Sequence, residues 1–260
     1  MKNYIIGTGW WCGKGEPNPK RKILGSEVIR GKEFHKLWYE SVCRFSDPSK
    51  IVIVDSASPV KPDLNKKDDR IEFISLIFNA GHPTVHRGMY SGWSRSVLLG
   101  IEYALMCDVD YFVYVEQDVL LYGKEIVEMC IDKMRGLYMF GSGDGTPQAL
   151  QQSFFMIRKD GMKKFLNNIQ FINHPDSALS PEAKFAVATN PALGVLPPRL
   201  LQTRYGRKLC SRLGQFERLP IGYGRKRPIN FSDSHFYFQH GSEEEIDQYI
   251  KLTGIKVNYK

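Results

Sequence analysis

The sequence predicts an α/β fold, with a mostly parallel central sheet covered by helices on both faces and an irregular C-terminal extension. Two observations predict it. Strand-like and helix-like runs alternate along the first part of the chain. The strand-like runs KIVIV (50–54), IEFISLIF (71–78) and YFVYV (111–115) are dominated by apolar residues, without the regular polar–apolar alternation of a one-sided sheet. Such strands are buried on both faces, the signature of a parallel sheet packed between helices.

NYII (3–6) is a short strand ending at Gly7-Thr8-Gly9, ahead of Trp10-Trp11. CGKGEPNPKRK (12–22) is a loop, too polar and too rich in Gly and Pro to pack. Residues 32–45 set Phe34, Leu37, Trp38, Val42 and Phe45 at helical spacing. KIVIV stops at Asp55-Ser56, and IEFISLIF at Asn79-Ala80-Gly81-His82. Ser91 is placed to cap a long helix whose apolar stripe is Trp93, Val97, Leu98, Ile101, Ala104 and Leu105. YFVYV then runs into Glu116-Gln117-Asp118. A helix near 124–135, a strand LYMFGSG (137–143) and a further strand and helix across 151–168 follow. From about residue 170 the pattern thins into irregular Pro-, Arg- and Gly-rich chain. It recovers at SEEEIDQYIKL (242–252), a helix with Ser242 as N-cap and glutamates in its first turn. The expected organisation is a core of residues 1–190 with a basic extension, 191–260, packed on the same domain.

The 260 residues suit one large domain, and the formal charge of +8 favours polyanions, phosphorylated small molecules or an anionic membrane surface. Five cysteines without CxxC spacing argue against a zinc ribbon or a disulfide scaffold and fit a reducing compartment. Apolar runs fall far short of a membrane span and no signal-peptide pattern is present, so a soluble cytoplasmic protein is expected. There is no P-loop, no dinucleotide fingerprint and no Gly-x-Ser-x-Gly elbow.

Ligands of open parallel sheets sit beyond the carboxyl ends of the strands. Asp55, His82, Glu116, Asp118 and Asp144 all fall at such ends, so one crevice can collect them. Glu116 and Asp118, two residues apart, point to the same side of a pleat and suit a hard divalent cation. The plainer alternative is a strand end facing water. Against it, apolar Val119-Leu120-Leu121 follow at once, and carboxylates in such chain need a partner, either a metal or an arginine.

A strand with an acidic triplet after a long helix resembles the nucleotide-sugar-dependent glycosyltransferases of the GT-A fold (family-2-like, with a Rossmann-like sheet). Further segments resemble that family in order. IVIVDSAS (51–58) is similar to its second strand, whose acid, here Asp55, contacts the nucleotide base. GWSRSVLLGIEYAL (92–105) is similar to the helix before the triplet, and QQSFFMIRKDGMKKF (151–165) to the strand and turn after it. SPEAKFA (180–186) stands where inverting members carry their catalytic acid, and HFYFQHG (235–241) where some supply a metal-binding His. The resemblance implies sugar transfer, by a hexosyl- or pentosyltransferase, from a donor such as a UDP- or GDP-sugar. The acceptor would be a glycan, lipid-linked or protein hydroxyl, and the reaction would be assisted by Mn²⁺ or Mg²⁺. It assigns Thr8, Asp55, Arg95, Glu116, Gln117 and Asp118 to the donor and Asp118, Glu116 and His240 to the metal. Glu182 is the catalytic base, with Asp144 in GSGDGTP (141–147) its competitor. The triplet Glu-Gln-Asp departs from Asp-x-Asp, which places the metal on Asp118 ahead of Glu116.

The basic, aromatic-bearing tract 199–227 suits phosphate contact, a lid over a diphosphate, or a patch facing a membrane. Two other function classes compete with the transferase. One is a nucleotidyltransferase of sugar-nucleotide synthesis. The other is a non-enzymatic basic protein binding glycans or nucleic acid, the latter the less expected partner.

Overall fold

The computed structural model describes residues 2–13, 24–86 and 88–259; most of the polar stretch CGKGEPNPKRK lies outside them. The elements are β1 (Tyr4–Trp10), α1 (Phe34–Phe45), β2 (Lys50–Asp55), β3 (Ile71–Ser75), β4 (Gly81–His82), β5 (Val85–His86) and α2 (Gly92–Met106). Next come β6 (Tyr111–Val115), β7 (Val119–Tyr122), α3 (Ile126–Lys133), β8 (Tyr138–Gly141), β9 (Gln151–Arg158), α4 (Lys159–Gln170) and α5 (Pro181–Thr189). The chain ends with α6 (Pro198–Leu201), α7 (Arg204–Leu213), β10 (Glu217–Arg218), β11 (Gly222–Gly224), β12 (Phe236–Gln239) and α8 (Glu243–Thr253).

A seven-stranded sheet in the order β10-β8-β9-β6-β1-β2-β3 forms the centre. Its pairs are parallel except for the two made by β9, with β6 and with β8. Side chains alternate across it. Ile5, Val52, Phe112 and Phe155 pack with α2, α4 and α5 on one face, while Tyr4, Ile6, Val113 and Phe154 pack with α1 and α3 on the other. Both faces are therefore dry, as uninterrupted apolar strands require. Ser91, Ser180 and Ser242 each accept a backbone N–H at a helix start, and Ser242 with Glu245 completes a capping box.

Three local expectations are corrected. β1 does not end at Gly7-Thr8-Gly9 but runs on to Trp10. A Cβ on Gly7 would stand 2.6 Å from the Phe112 ring, and one on Gly9 2.6 Å from Ser96 Oγ of α2, so these glycines serve close packing inside the strand. IEFISLIF leaves the sheet after Ser75, and Ile77 is 95 % exposed. The segment beyond residue 170 is not irregular. It supplies α5, α6 and α7, the edge strand β10, and β11 and β12, which join β7 in a second, three-stranded sheet. Tyr249 Oη of α8 donates to the Leu121 carbonyl at 2.6 Å, locking α8 to β7.

On α1, His35 is buried between the rings of Trp10 and Trp38. Burial lowers its imidazole from 6.5 to about 4, against the pull of Asp63. The unfolded chain therefore takes up this proton at higher pH than the folded one. Stability is expected to fall between pH 6.5 and about 4 by roughly 3 kcal/mol from this group, with no further loss below. Melting curves of the native protein and His35→Phe across that range check it: the variant lacks this component of the slope.

Candidate active site

The acidic triplet sits where the chain passes from one sheet to the other. β6 ends at Val115. Glu116 N–H then donates to the Ser153 carbonyl at 2.8 Å, and Val119 N–H closes a tight turn onto the Glu116 carbonyl at 2.9 Å. Apolar chain resumes at Val119 because β7 pairs antiparallel with β12 in the second sheet. Its register sets Gln239 opposite Val119 and so brings Gln239 and His240 to the acids. Gln239 Nε2 donates to Glu116 Oε2 at 2.7 Å, and His240 Nε2 stands 3.2 Å from Asp118 Oδ2.

Asp118 Oδ1 and His240 Nδ1 are buried and have no hydrogen-bond partner. His240 follows the end of β12 with φ 56°, a left-handed conformation that is costly for a residue with a Cβ. His235, at the other end of the HFYFQHG segment, is held by the Lys124 carbonyl at 3.0 Å and takes no part.

Glu182 reaches the same place from α5. Ser180 caps that helix and Pro181 begins it, so Glu182 lies in the first turn. The helix is fixed to the start of α2 by a buried ion pair, Lys184 Nζ to Asp176 Oδ1 at 2.6 Å. Asp176 Oδ2 accepts from Ser91 N–H and Ser94 Oγ, both at 2.7 Å. Burial, then the charges of Asp118 and Glu182, push the Glu116 carboxyl well above the usual carboxylate range; Arg225 and the Gln239 hydrogen bond act against this. Burial also raises Glu182, again opposed by Arg225. Burial lowers the His240 imidazole despite Asp118, and Arg225 adds to that lowering. Three acids, one histidine and one arginine thus share one electrostatic neighbourhood.

The other predicted residues lie elsewhere or have internal duties. Asp144 is exposed on the loop after β8, where its charge acts on Arg218. Asp55 is fully buried: Oδ1 accepts Ser58 N–H at 2.9 Å, and Oδ2 binds Ser75 Oγ at 2.5 Å and the Lys61 ammonium. Gln117 is clasped to the backbone of Trp11, accepting its N–H at 2.9 Å and donating to its carbonyl at 3.2 Å. Thr8 is buried inside β1. Arg95 donates to the Tyr90 carbonyl at 3.0 Å and lies over the Phe78 ring. His82 belongs to the separate β4–β5 hairpin and pairs with Thr84 Oγ1 at 2.9 Å.

For a divalent cation, Asp118 and His240 fit as a pair, because Asp118 keeps one buried oxygen unengaged. A purely protein-built cage does not fit: among the described residues no group of three or more His, Cys, Asp or Glu is placed to hold a metal. Gln239 and Arg225 escape sequence reasoning as site residues, Gln239 because its role depends on the β7–β12 register, Arg225 because eight other basic residues surround it between 197 and 228.

No protein-family model matches the chain, and no curated protein matches its sequence. Among solved structures it is similar to S. aureus TarS 1–349, at 12 % identity and a TM-score of 0.50 over 97 % of this chain and 64 % of that one. The same TarS fragment in complex with UDP-GlcNAc matches at 11 % identity and 0.48, over 94 % of this chain and 59 % of that one. A Bacillus anthracis protein described as a glucose-1-phosphate thymidylyltransferase matches at 11 % and 0.42, covering 99 % of this chain and 97 % of that one. The galactosyltransferase LgtC, with donor and acceptor sugar analogues, matches at 9 % and 0.46, covering 98 % and 95 %. The chain spans about 64 % of the TarS fragment. Its fold is GT-A-like, a mostly parallel sheet between helices.

Proposed function

We propose that this protein transfers a sugar from a nucleotide-diphosphate sugar to an acceptor hydroxyl. The reading is carried by the meeting of Glu116, Asp118, Glu182 and His240 with Arg225. They gather beyond the carboxyl end of a parallel strand, where such sheets hold ligands. In the reaction the bond from the anomeric carbon to the diphosphate oxygen breaks and its electron pair leaves with the diphosphate. The acceptor oxygen bonds to that carbon and gives up its proton.

Glu182 takes that proton, as an inverting transfer requires. A carboxyl raised by burial is the better base near neutral pH, because its proton affinity lies closer to the working pH. Arg225 offsets the charge that develops on the leaving diphosphate. Asp118 and His240 would hold a divalent cation, Mn²⁺ or Mg²⁺, which when bound neutralises diphosphate charge. Glu116, anchored by Gln239, stands beside that pair and is a secondary ligand at most. Asp144 remains outside the cluster and ranks behind Glu182 as base.

A panel of UDP- and GDP-sugars, UDP-GlcNAc first, should raise the melting temperature in the presence of Mn²⁺. A ligand at a hundred times its Kd stabilises by about 2.7 kcal/mol. Indifference to every nucleotide would overturn the proposal. Stabilisation by nucleoside triphosphates with sugar phosphates, and not by nucleotide-sugars, would reassign the protein to nucleotidyl transfer.

A further inference from the structure

The basic tract divides into parts with different work. Arg218 is spent inside the protein, on the Gly141 and Ala149 carbonyls at 3.1 and 2.9 Å and on Ser211 Oγ at 2.7 Å. Arg227 pairs with Glu245 at 2.5 Å, and Arg225 faces the acids. Arg204, Lys208 and Arg212 do none of this. They succeed one another at intervals of four residues on α7, so they form one row along the helix. All three are exposed, and none takes part in an ion pair among the described residues.

Sequence and structure leave this row without local compensation. Between Glu182 and Glu217 the chain contains no acidic residue. Like charges four apart on a helix repel, by roughly 0.2–0.5 kcal/mol per pair, so the row costs stability in the free protein. Beside it stand apolar groups in water: Tyr205 (69 % exposed), Leu213 (50 %) and Val195 (83 %). The Asn190 side chain donates to the Leu213 carbonyl at 2.8 Å, which joins the end of α7 to the 191–195 turn that carries Val195. Arg199, also exposed and basic, lies between that turn and α7.

We infer that the outer face of α7 docks the protein on an anionic phospholipid surface. A row of cations answers the negative potential of such a surface. The neighbouring aliphatic and aromatic groups can enter the headgroup layer, which a nucleic-acid backbone does not offer them. α7 is also braced against the loop that carries Asp144. Arg207 donates to the Pro147 carbonyl at 2.8 Å, and Gly145 on the same loop packs against the backbone of Lys226, next to Arg225. Docking through α7 is linked by these contacts to the segment that carries Arg225, and acceptors would be met at the lipid surface. That consequence rests on the transferase reading, whereas the docking does not.

Co-sedimentation of the full chain with vesicles tests the docking, using phosphatidylcholine alone and phosphatidylcholine mixed with phosphatidylglycerol. Binding to the anionic vesicles only, weakening with salt, is expected. Arg204→Gln/Lys208→Gln/Arg212→Gln should weaken it by roughly fivefold per residue, about a hundredfold in all. A control, Lys32→Gln/Lys66→Gln/Lys67→Gln, removes the same charge from exposed sites elsewhere and should lose far less. Tyr205→Ser/Leu213→Ser, which keeps every charge, should weaken vesicle binding as well. Failure of the native chain to bind anionic vesicles overturns the inference, as does an equal loss in the control. So does an oligonucleotide affinity that the α7 variant abolishes while vesicle binding is untouched. Melting curves of each variant, and a donor titration, show whether any loss comes from unfolding or from the active site.

Discussion

Glu182→Gln is expected to lower transfer turnover by about 10²–10⁴-fold, the usual contribution of a positioned general base. The substitution keeps size and shape; it forfeits the attraction between a carboxylate and the helix N-terminus, about 0.3–1 kcal/mol, and weakens the hydrogen bonds with Ser180 and the Glu182 backbone N–H. Folding should survive, since α5 is fixed by Ser180 and by the Lys184–Asp176 pair and not by Glu182. Donor affinity should change little, because the base meets the acceptor. On that reading the native protein should also lose rate as pH falls through the raised Glu182 value, where the base becomes protonated; the variant should lack that limb. Initial rates against pH for both proteins, with donor saturating, settle the matter. Undiminished turnover would reject Glu182, and Asp144→Asn would then be the variant to examine.

The sheet was legible because buried parallel strands have to be apolar along their buried length, and IVIV (51–54) and YFVYV are. Helix starts were legible at Ser91 and Ser242, where a small hydroxyl residue precedes an apolar stripe or a run of glutamates. Glu116, Asp118, Glu182 and His240 were all named from sequence, and the fold sets them in one neighbourhood. What brings them there was not legible. The pairing of β7 with β12 joins residues more than a hundred positions apart, and no local pattern says that VLLY leaves the main sheet. The same tract read as loop conceals α7, whose helically spaced Tyr205, Leu209, Cys210 and Leu213 are masked by surrounding Arg and Lys and an internal glycine.

Other residues named from sequence are already engaged inside the protein, for a different reason. Thr8, assigned by the resemblance, lies inside β1 between two glycines that read as a strand end. Their actual task is to let Phe112 and Ser96 approach, and only packing reveals it. Asp55 stands at the carboxyl end of β2 as the resemblance asks, but Lys61, Ser58 and Ser75 already engage its carboxylate. Gln117 occupies the middle of the triplet, and its amide is matched to the Trp11 backbone. Position along a strand shows where a side chain stands; whether it is free to meet a ligand depends on neighbours from distant sequence.

Asp118→Asn tests the central claim, that the triplet is a metal–diphosphate site. The carboxylate has one oxygen near His240 and one unengaged, so the amide keeps the shape and removes the charge a cation needs. Calorimetric titration of UDP-GlcNAc and the other UDP- and GDP-sugars, with and without Mn²⁺, should show native affinity strengthened by the metal. The variant should lose that increment, on the order of a hundredfold, while its metal-free affinity and melting temperature stay near native. A variant that binds donor as tightly as the native protein in the presence of Mn²⁺ would contradict the claim.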